Sequence, residues 1–161
     1  MNVLVSGGAG YIGSHTCVEL ILAGHQVVVV DNLSNSSFEA ISRIEKITGS
    51  SIPFYQTDLL DIHGLEQVIA KHPLDAVIHF AALKAVGESV SKPLEYYHNN
   101  LSGTINLCSL VVKHKINHFV FSSSATVYGL PKTLPITESA ATLIHEVTNP
   151  YGRSKLMTEF I

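Results

Sequence analysis

Gly7-Gly8-Ala9-Gly10-Tyr11-Ile12-Gly13 is the stretch whose reading decides the fold. It directly follows the strand-like run Asn2-Val3-Leu4-Val5-Ser6, and it opens a segment of helical period over residues 11–23, with Gly24 placed to cap that helix. Its spacing satisfies G-x-G-x-x-G from Gly8 and G-x-x-G-x-x-G from Gly7. Glycines at this spacing allow a tight turn, close approach of main chain to a pyrophosphate, and packing of helix on strand. The helix N-terminus behind them offers unpaired N–H groups and a partial positive charge to phosphate. Alone the motif is weak, because a purely structural glycine turn has the same composition. Asp31 strengthens it, ending the second apolar run (residues 27–30) 18 residues past Gly13. A carboxylate there can accept from both ribose hydroxyls of an adenosine and repels a 2′-phosphate. No arginine lies nearer than Arg43, so the expected dinucleotide is NAD rather than NADP.

Outward from the turn, short apolar runs alternate with helical periods. Residues 37–47 read as a weaker helix carried by Phe38, Ile41, Ile44 and Ile47, residues 52–56 as a third strand, and residues 65–71 as part of another helix. Residues 75–80 read as a fourth strand, residues 94–115 as one long helix behind Pro93, and residues 118–122 as a fifth strand. A last helix starts near Pro150 and is expected to be still running at Ile161, an uncapped finish that suits a chain with more to follow. Strand and helix alternating in this way predict an α/β fold: a Rossmann-type, doubly wound parallel sheet with helices on both faces, in one NAD-binding domain over residues 1–161.

Composition narrows the function classes. The 161 residues are 46% hydrophobic and 14% charged, against about 25% charged in an average soluble domain, so some exposed surface is expected to be covered by something else. Ten Lys and Arg against 13 Asp and Glu leave a net charge of −3, without the basic footprint of a nucleic-acid binder. No apolar run reaches the roughly 20 residues that cross a bilayer, and the start lacks a signal peptide's basic and cleavable segments. Cys17 and Cys108 form no C-x-x-C pair and read as thiols of a reducing compartment, so the expected location is cytoplasmic. The nine histidines are scattered without an H-E-x-x-H, and no metal site is expected. Glu88 and Glu138 read as solvated or structural.

Tyr151 and Lys155 stand four apart at the start of the last helix and therefore share a face. A free tyrosine, with a pKa of about 10, is a poor base at neutral pH, and bringing it near 7 takes about 4 kcal/mol. One cation at about 4 Å in an effective dielectric of 20 supplies a similar amount. Taken alone, a Tyr-x-x-x-Lys spacing is more often an exposed helical pair. Behind a dinucleotide turn and after a fifth strand it becomes a candidate acid–base pair.

The glycine turn, Asp31 and Tyr151-Gly152-Arg153-Ser154-Lys155 together resemble the extended short-chain dehydrogenase/reductases. GGAGYIGSHT at 7–16, DNLSNS at 31–36, HFAALKAVGESVSKPLEYYHNN at 79–100, FSSSATVYG at 121–129 and NPYGRSKLMTE at 149–159 narrow the resemblance to the UDP-glucose 4-epimerase family. That family implies NAD-dependent oxidation of a UDP-sugar at C4 and return of the hydride to the opposite face, interconverting UDP-glucose and UDP-galactose. It implies Tyr151 as phenolate base, Ser124 as its hydrogen-bonding partner on the substrate, and Lys155 tuning Tyr151 and holding the nicotinamide ribose. Gly7, Gly10, Tyr11, Ile12 and Gly13 would lie along the pyrophosphate. Asp31, Asn32, Asn35 and Ser36 would surround the adenosine ribose, and Asp58 and Leu59 would meet the adenine. Phe80, Ala81, Ala82 and Lys84 would line the cofactor, with Asn99 nearby. For Asn35, Ser36 and Asn99 taken alone, a packing role is as good a reading.

Related 4,6-dehydratases carry Thr-Asp-Glu where this chain has Ser124-Ala125-Thr126, so the carboxylates that would drive an elimination are missing. Ala82-Leu83-Lys84 departs from the Gly-Leu-Lys of many members by one methyl group. The family also implies a homodimer through the helix at residues 94–115 and the last helix, although Tyr96 and Tyr97 could equally pack within the subunit. Its members are about twice as long, and the half lacking here carries most of the uridine nucleotide site. The chain alone is therefore expected to be inactive or nearly so. A non-catalytic NAD-binding module, or the remnant of a shortened gene, is the alternative, and a dehydrogenase with exchangeable NAD a third.

Overall fold

The computed structural model describes residues 1–131 and 133–161. Its five-stranded sheet has the order β3-β2-β1-β4-β5, all parallel, from β1 (Asn2–Ser6), β2 (Gln26–Asp31), β3 (Phe54–Gln56), β4 (Ala76–His79) and β5 (His118–Phe121). Leu4, Val28, Val30 and Val77 point to one face and pack with α3 (Ile62–Ala70) and the second half of α6 (Gly103–Lys113), through Leu65, Val68, Ile69, Leu107, Leu110 and Val111. Val3, Val5, Val27, Val29 and Ala76 point to the other face, where α1 (Tyr11–Leu22) contributes Cys17 and α2 (Glu39–Thr48) contributes Ile41 and Ile44. Burial on both faces explains why these strands read as unbroken apolar runs. The strand order reverses between β1 and β4, the position at which open α/β sheets bind ligands beyond the carboxyl ends of their strands.

The chain divides into two compact units. One comprises residues 1–81 and 106–122 and holds the whole sheet, and the other comprises residues 82–105 and 123–161. The second unit contains α4 (Val86–Ser91), α5 (Pro93–Tyr97), a π-helical turn (His98–Ser102), a 3-10 turn (Ala125–Tyr128) and α7 (Pro150–Thr158), with Val127, Val147 and Leu156 as its own apolar cluster.

Two expectations about helices change. The helix expected at residues 94–115 starts at Pro93, ends at Lys113 and widens to π winding over His98–Ser102, where Asn99 and Asn100 form hydrogen bonds with their side chains. The last helix does not run to Ile161: it ends at Thr158, and the Phe160 and Ile161 N–H groups turn back onto the Met157 and Thr158 carbonyls. No helix among the described residues is long and apolar enough to cross a membrane.

Candidate active site

In the first unit the glycine turn is built by close main-chain contact. Gly7 has φ +75°, and a Cβ there would lie 2.6 Å from the Ala81 nitrogen. A Cβ on Gly13 would overlap the Gly7 carbonyl oxygen and lie 2.8 Å from the Gly8 Cα. The turn is thus pressed between β4's exit and the first turn of α1, and both contacts demand glycine. The N–H groups of Phe80 and Ala81 both donate to the Ser6 carbonyl, at 2.9 and 3.1 Å, tying the segment after β4 to the end of β1. Ser6 and His79, both buried, add a side-chain bond of 2.7 Å between the same strands. No side chain caps the N-terminus of α1 at Gly10, and Tyr11 and Ile12 stand exposed there. An uncapped helix start behind a glycine turn is open to an anionic ligand, so these residues fit a dinucleotide's pyrophosphate.

Asp31 ends β2, and its buried carboxylate is already well bonded. Oδ2 accepts from the Ala9 N–H at 3.0 Å, and Oδ1 accepts from the Leu33 N–H at 2.9 Å and the Ser36 hydroxyl at 2.7 Å. A carboxylate has about four acceptor positions, so room remains on Oδ2 for one ribose hydroxyl, and the Ser36 oxygen can accept another. Asn32 donates to Asp58 at 2.8 Å, joining the loops after β2 and β3, while Asn35 is exposed. The Leu59 side chain lies in the core, and its carbonyl accepts from Asn106 at 2.9 Å.

The second unit holds the proton-transfer candidates together with Ala82, Lys84 and Asn99. Asn149 caps α7 by accepting from the Gly152 N–H at 2.7 Å, and Pro150 takes the first helical position, where its missing N–H costs nothing. Tyr151 is half-buried in the first turn, and Lys155 is buried one turn on. Burial pulls the Lys155 ammonium down to about 8, so at neutral pH it is still mostly charged. Ser124 begins the 3-10 turn, its Oγ accepting from the Thr126 N–H at 3.3 Å and the Thr126 hydroxyl at 3.0 Å. Lys84 is exposed, and Ala82 and Asn99 are half-buried.

Sequence reasoning missed the residue that ties this unit together. Asn100, 4% exposed in the π turn, uses its amide fully. Its Oδ1 accepts from the Leu83 N–H at 2.9 Å and from Asn99 at 3.0 Å, and its Nδ2 donates to the Leu83 carbonyl at 3.0 Å and the Ser154 hydroxyl at 2.9 Å. Ser154 in turn donates to the Tyr151 carbonyl at 2.7 Å. The loop carrying Ala82 and Lys84 is thereby linked to the turn carrying Tyr151. The available signal was an asparagine pair, poor in helix propensity, on the face that Tyr96, Thr104 and Leu107 bury. Among the described residues no three His, Cys, Asp or Glu side chains gather as for a metal ion.

A parallel sheet in this order, a glycine turn at its switch point and an acid closing β2 define a Rossmann-type dinucleotide-binding fold, joined in one chain to a Tyr-x-x-x-Lys helix. Residues 3–161 match the model of the NAD dependent epimerase/dehydratase family, and the chain belongs to that family. It is 58% identical to UDP-glucose 4-epimerase from Bacillus subtilis over 161 residues, all of this chain and 47% of the relative. It is 59% identical to UDP-glucose 4-epimerase uge1 from Schizosaccharomyces pombe, over 99% of this chain and 45% of the relative. Among solved structures, UDP-glucose 4-epimerase from Bifidobacterium longum in complex with NAD+ and UDP superposes with a TM-score of 0.96 at 52% identity, covering 99% of this chain and 47% of that one. The chain thus spans about half the length of the relatives it matches.

Proposed function

We propose that residues 1–161 are the cofactor-binding and proton-transfer half of an NAD-dependent 4-epimerase that interconverts UDP-glucose and UDP-galactose. The observation that carries this reading is the second unit's set: Ser124 heading a 3-10 turn, Tyr151 on α7, Lys155 buried one turn on, and no carboxylate at Ala125 or Thr126. When bound, NAD supplies a reversible acceptor for the hydride of the sugar's C4. The glycine turn and the start of α1 hold its pyrophosphate. Asp31, Asn32, Asn35 and Ser36 hold its adenosine ribose, and Asp58 with the main chain of Leu59 meets its adenine. Phe80, Ala81, Ala82, Lys84 and Asn99 complete the cofactor's surroundings. Tyr151, as phenolate, takes the C4 hydroxyl proton as the carbonyl forms and returns it when the carbonyl is reduced. Ser124 bonds the same oxygen, and the charged Lys155 steadies the phenolate. With no acid at positions 125 and 126, the chain has no group there to expel water, so the chemistry stays a reversible oxidation.

The relatives' second half has no counterpart here, so the chain alone holds NAD without turning sugars over. The test uses residues 1–161 alone and the same residues joined to the C-terminal half of the Bacillus subtilis relative, assayed for extractable NAD and for conversion of UDP-galactose. The expected result is near-stoichiometric NAD in both, turnover in the completed chain only, and at least about a 100-fold loss with Tyr151→Phe. NAD without turnover in the completed chain would instead favour the non-catalytic module, and a chain that binds no NAD would sink both readings. The homodimer belongs to the same proposal. Leu94 on α5 and Val112 on α6, which are 80% and 77% exposed, are apolar side chains on its helices, Phe160, 81% exposed, follows α7, and light scattering of the completed chain should give twice the monomer mass. The cytoplasmic location is proposed from Cys17 and Cys108, both free thiols.

A further inference from the structure

We infer that Thr126 is a positioning residue that leaves Ser124 able only to donate a hydrogen bond; the inference deepens the 4-epimerase reading and rests on it. The Ser124 oxygen accepts from the Thr126 N–H at 3.3 Å and from the Thr126 hydroxyl at 3.0 Å. A serine hydroxyl has two acceptor positions and one hydrogen. Thr126 fills both acceptor positions, so the hydrogen is what Ser124 has left to offer. It gives that hydrogen to the sugar's C4 oxygen and cannot take the C4 hydroxyl's proton without first losing a bond to Thr126. Proton removal then falls to Tyr151 directly, with no relay through the serine. Donation from Thr126 also polarises the Ser124 hydroxyl and makes it a stronger donor, as in other hydrogen-bond chains.

Thr126 has a second contact that ties this role to the tyrosine. A Cβ on Gly152 would lie 3.1 Å from both the carbonyl oxygen and the Oγ1 of Thr126. The residue after Tyr151 therefore sits directly on this threonine, with only a glycine's room between them. One side chain fixes the direction of the Ser124 hydrogen and supports the helical turn from which Tyr151 projects.

The variants are Thr126→Val, which keeps the shape and loses the hydroxyl, and Thr126→Ser, which keeps the hydroxyl. In residues 1–161 joined to the C-terminal half of the Bacillus subtilis relative, Thr126→Val should lower kcat about 10-fold while KM and NAD content hold. Thr126→Ser should return kcat to within about twofold of the parent, which a role in packing alone would not do. An unchanged kcat in Thr126→Val, or equal losses in both variants, overturns the inference. Crystal structures of the 161-residue chain and its Thr126→Val variant test the geometry apart from turnover. The variant should release Ser124 to another rotamer, and a Ser124 hydroxyl that has not moved overturns the inference. A completed parent chain that converts no sugar overturns the epimerase reading, and the crystal structures then decide the role of Thr126.

Discussion

The carboxylate of Asp31 has three of its acceptor positions filled from within the fold, by Ala9, Leu33 and Ser36, so it holds the glycine turn and the loop after β2 in register whether or not a nucleotide is present. Asp31→Asn exchanges one acceptor oxygen for an NH2 group that faces an N–H or hydroxyl donor, and a buried donor left without an acceptor costs about 1–3 kcal/mol. Urea unfolding should show that loss as a lower midpoint at unchanged slope. NAD affinity should fall about tenfold, read by calorimetry. Ser36→Ala removes one donor and leaves the rest, so it should cost under about 1 kcal/mol. Equal midpoints for Asp31→Asn and the parent would show that the turn does not depend on the carboxylate. The position of Asp31 was legible because an acid closing an apolar strand is conspicuous. Its hold on the turn was not, because Ala9 and Leu33 bond through main-chain N–H groups that no residue type announces.

The strands β1, β2 and β4 fall within a residue or so of where their apolar runs placed them, because burial on both faces leaves no polar alternation to blur the ends. The edge strand β5 also falls within a residue of its expected place, although Val120 is exposed. The second unit was less legible, since its helices are short and their ends are set by side-chain bonds. Tyr96 shows this: its buried hydroxyl donates to Glu88 at 2.8 Å and accepts from the Ala85 N–H at 3.1 Å, which fixes α4 against α5. The π turn likewise follows from Asn100 reaching Leu83, a partner 17 residues away, which helical periodicity cannot register. Among the caps, Asn149 on α7 is buried and Asp61 on α3 is a more exposed counterpart, its Oδ1 accepting from the Gly64 N–H at 3.0 Å. Removing a cap costs about 0.5–2 kcal/mol, and the buried one should lie at the upper end because its N–H partner then has no water to turn to. Asn149→Ala should therefore cost about 2 kcal/mol and Asp61→Ala about 1, measured by urea unfolding. Equal costs would show that burial adds nothing to this cap.

Across the molecule, the chain passes between its two units after Ala81, Ile105 and Ser122, at strand exits and inside α6, so no Pro- or Gly-rich linker marks the division in the sequence. The low charge content leaves few buried ionisable groups, and Lys155 is the one whose titration should dominate stability in mildly alkaline solution. Its folded pKa of about 8 lies below the value near 10.5 of an unperturbed lysine, because burial penalises the ammonium. Between those values the unfolded chain holds a proton that the folded chain has released, so stability rises with pH across that window. Below pH 8 both states are charged and the full penalty is present; above about 10.5 both are neutral and it is gone. Burial acts oppositely on two other groups, pushing the Cys17 thiol up to about 12 and, with the Glu88 carboxylate beside it, the Tyr96 hydroxyl up to about 12. Their contributions fall as pH rises above roughly 9 and 10, so the total curve should peak rather than climb. Comparison with Lys155→Met isolates the lysine, since the other two groups are common to both proteins. Relative to that variant, the parent should gain about 2 kcal/mol of unfolding free energy between pH 8 and pH 10, read from urea unfolding of NAD-free protein. A difference that stays flat over this range would mean that the Lys155 ammonium keeps its ordinary affinity for protons, and that its burial is offset by bonds to its charged form.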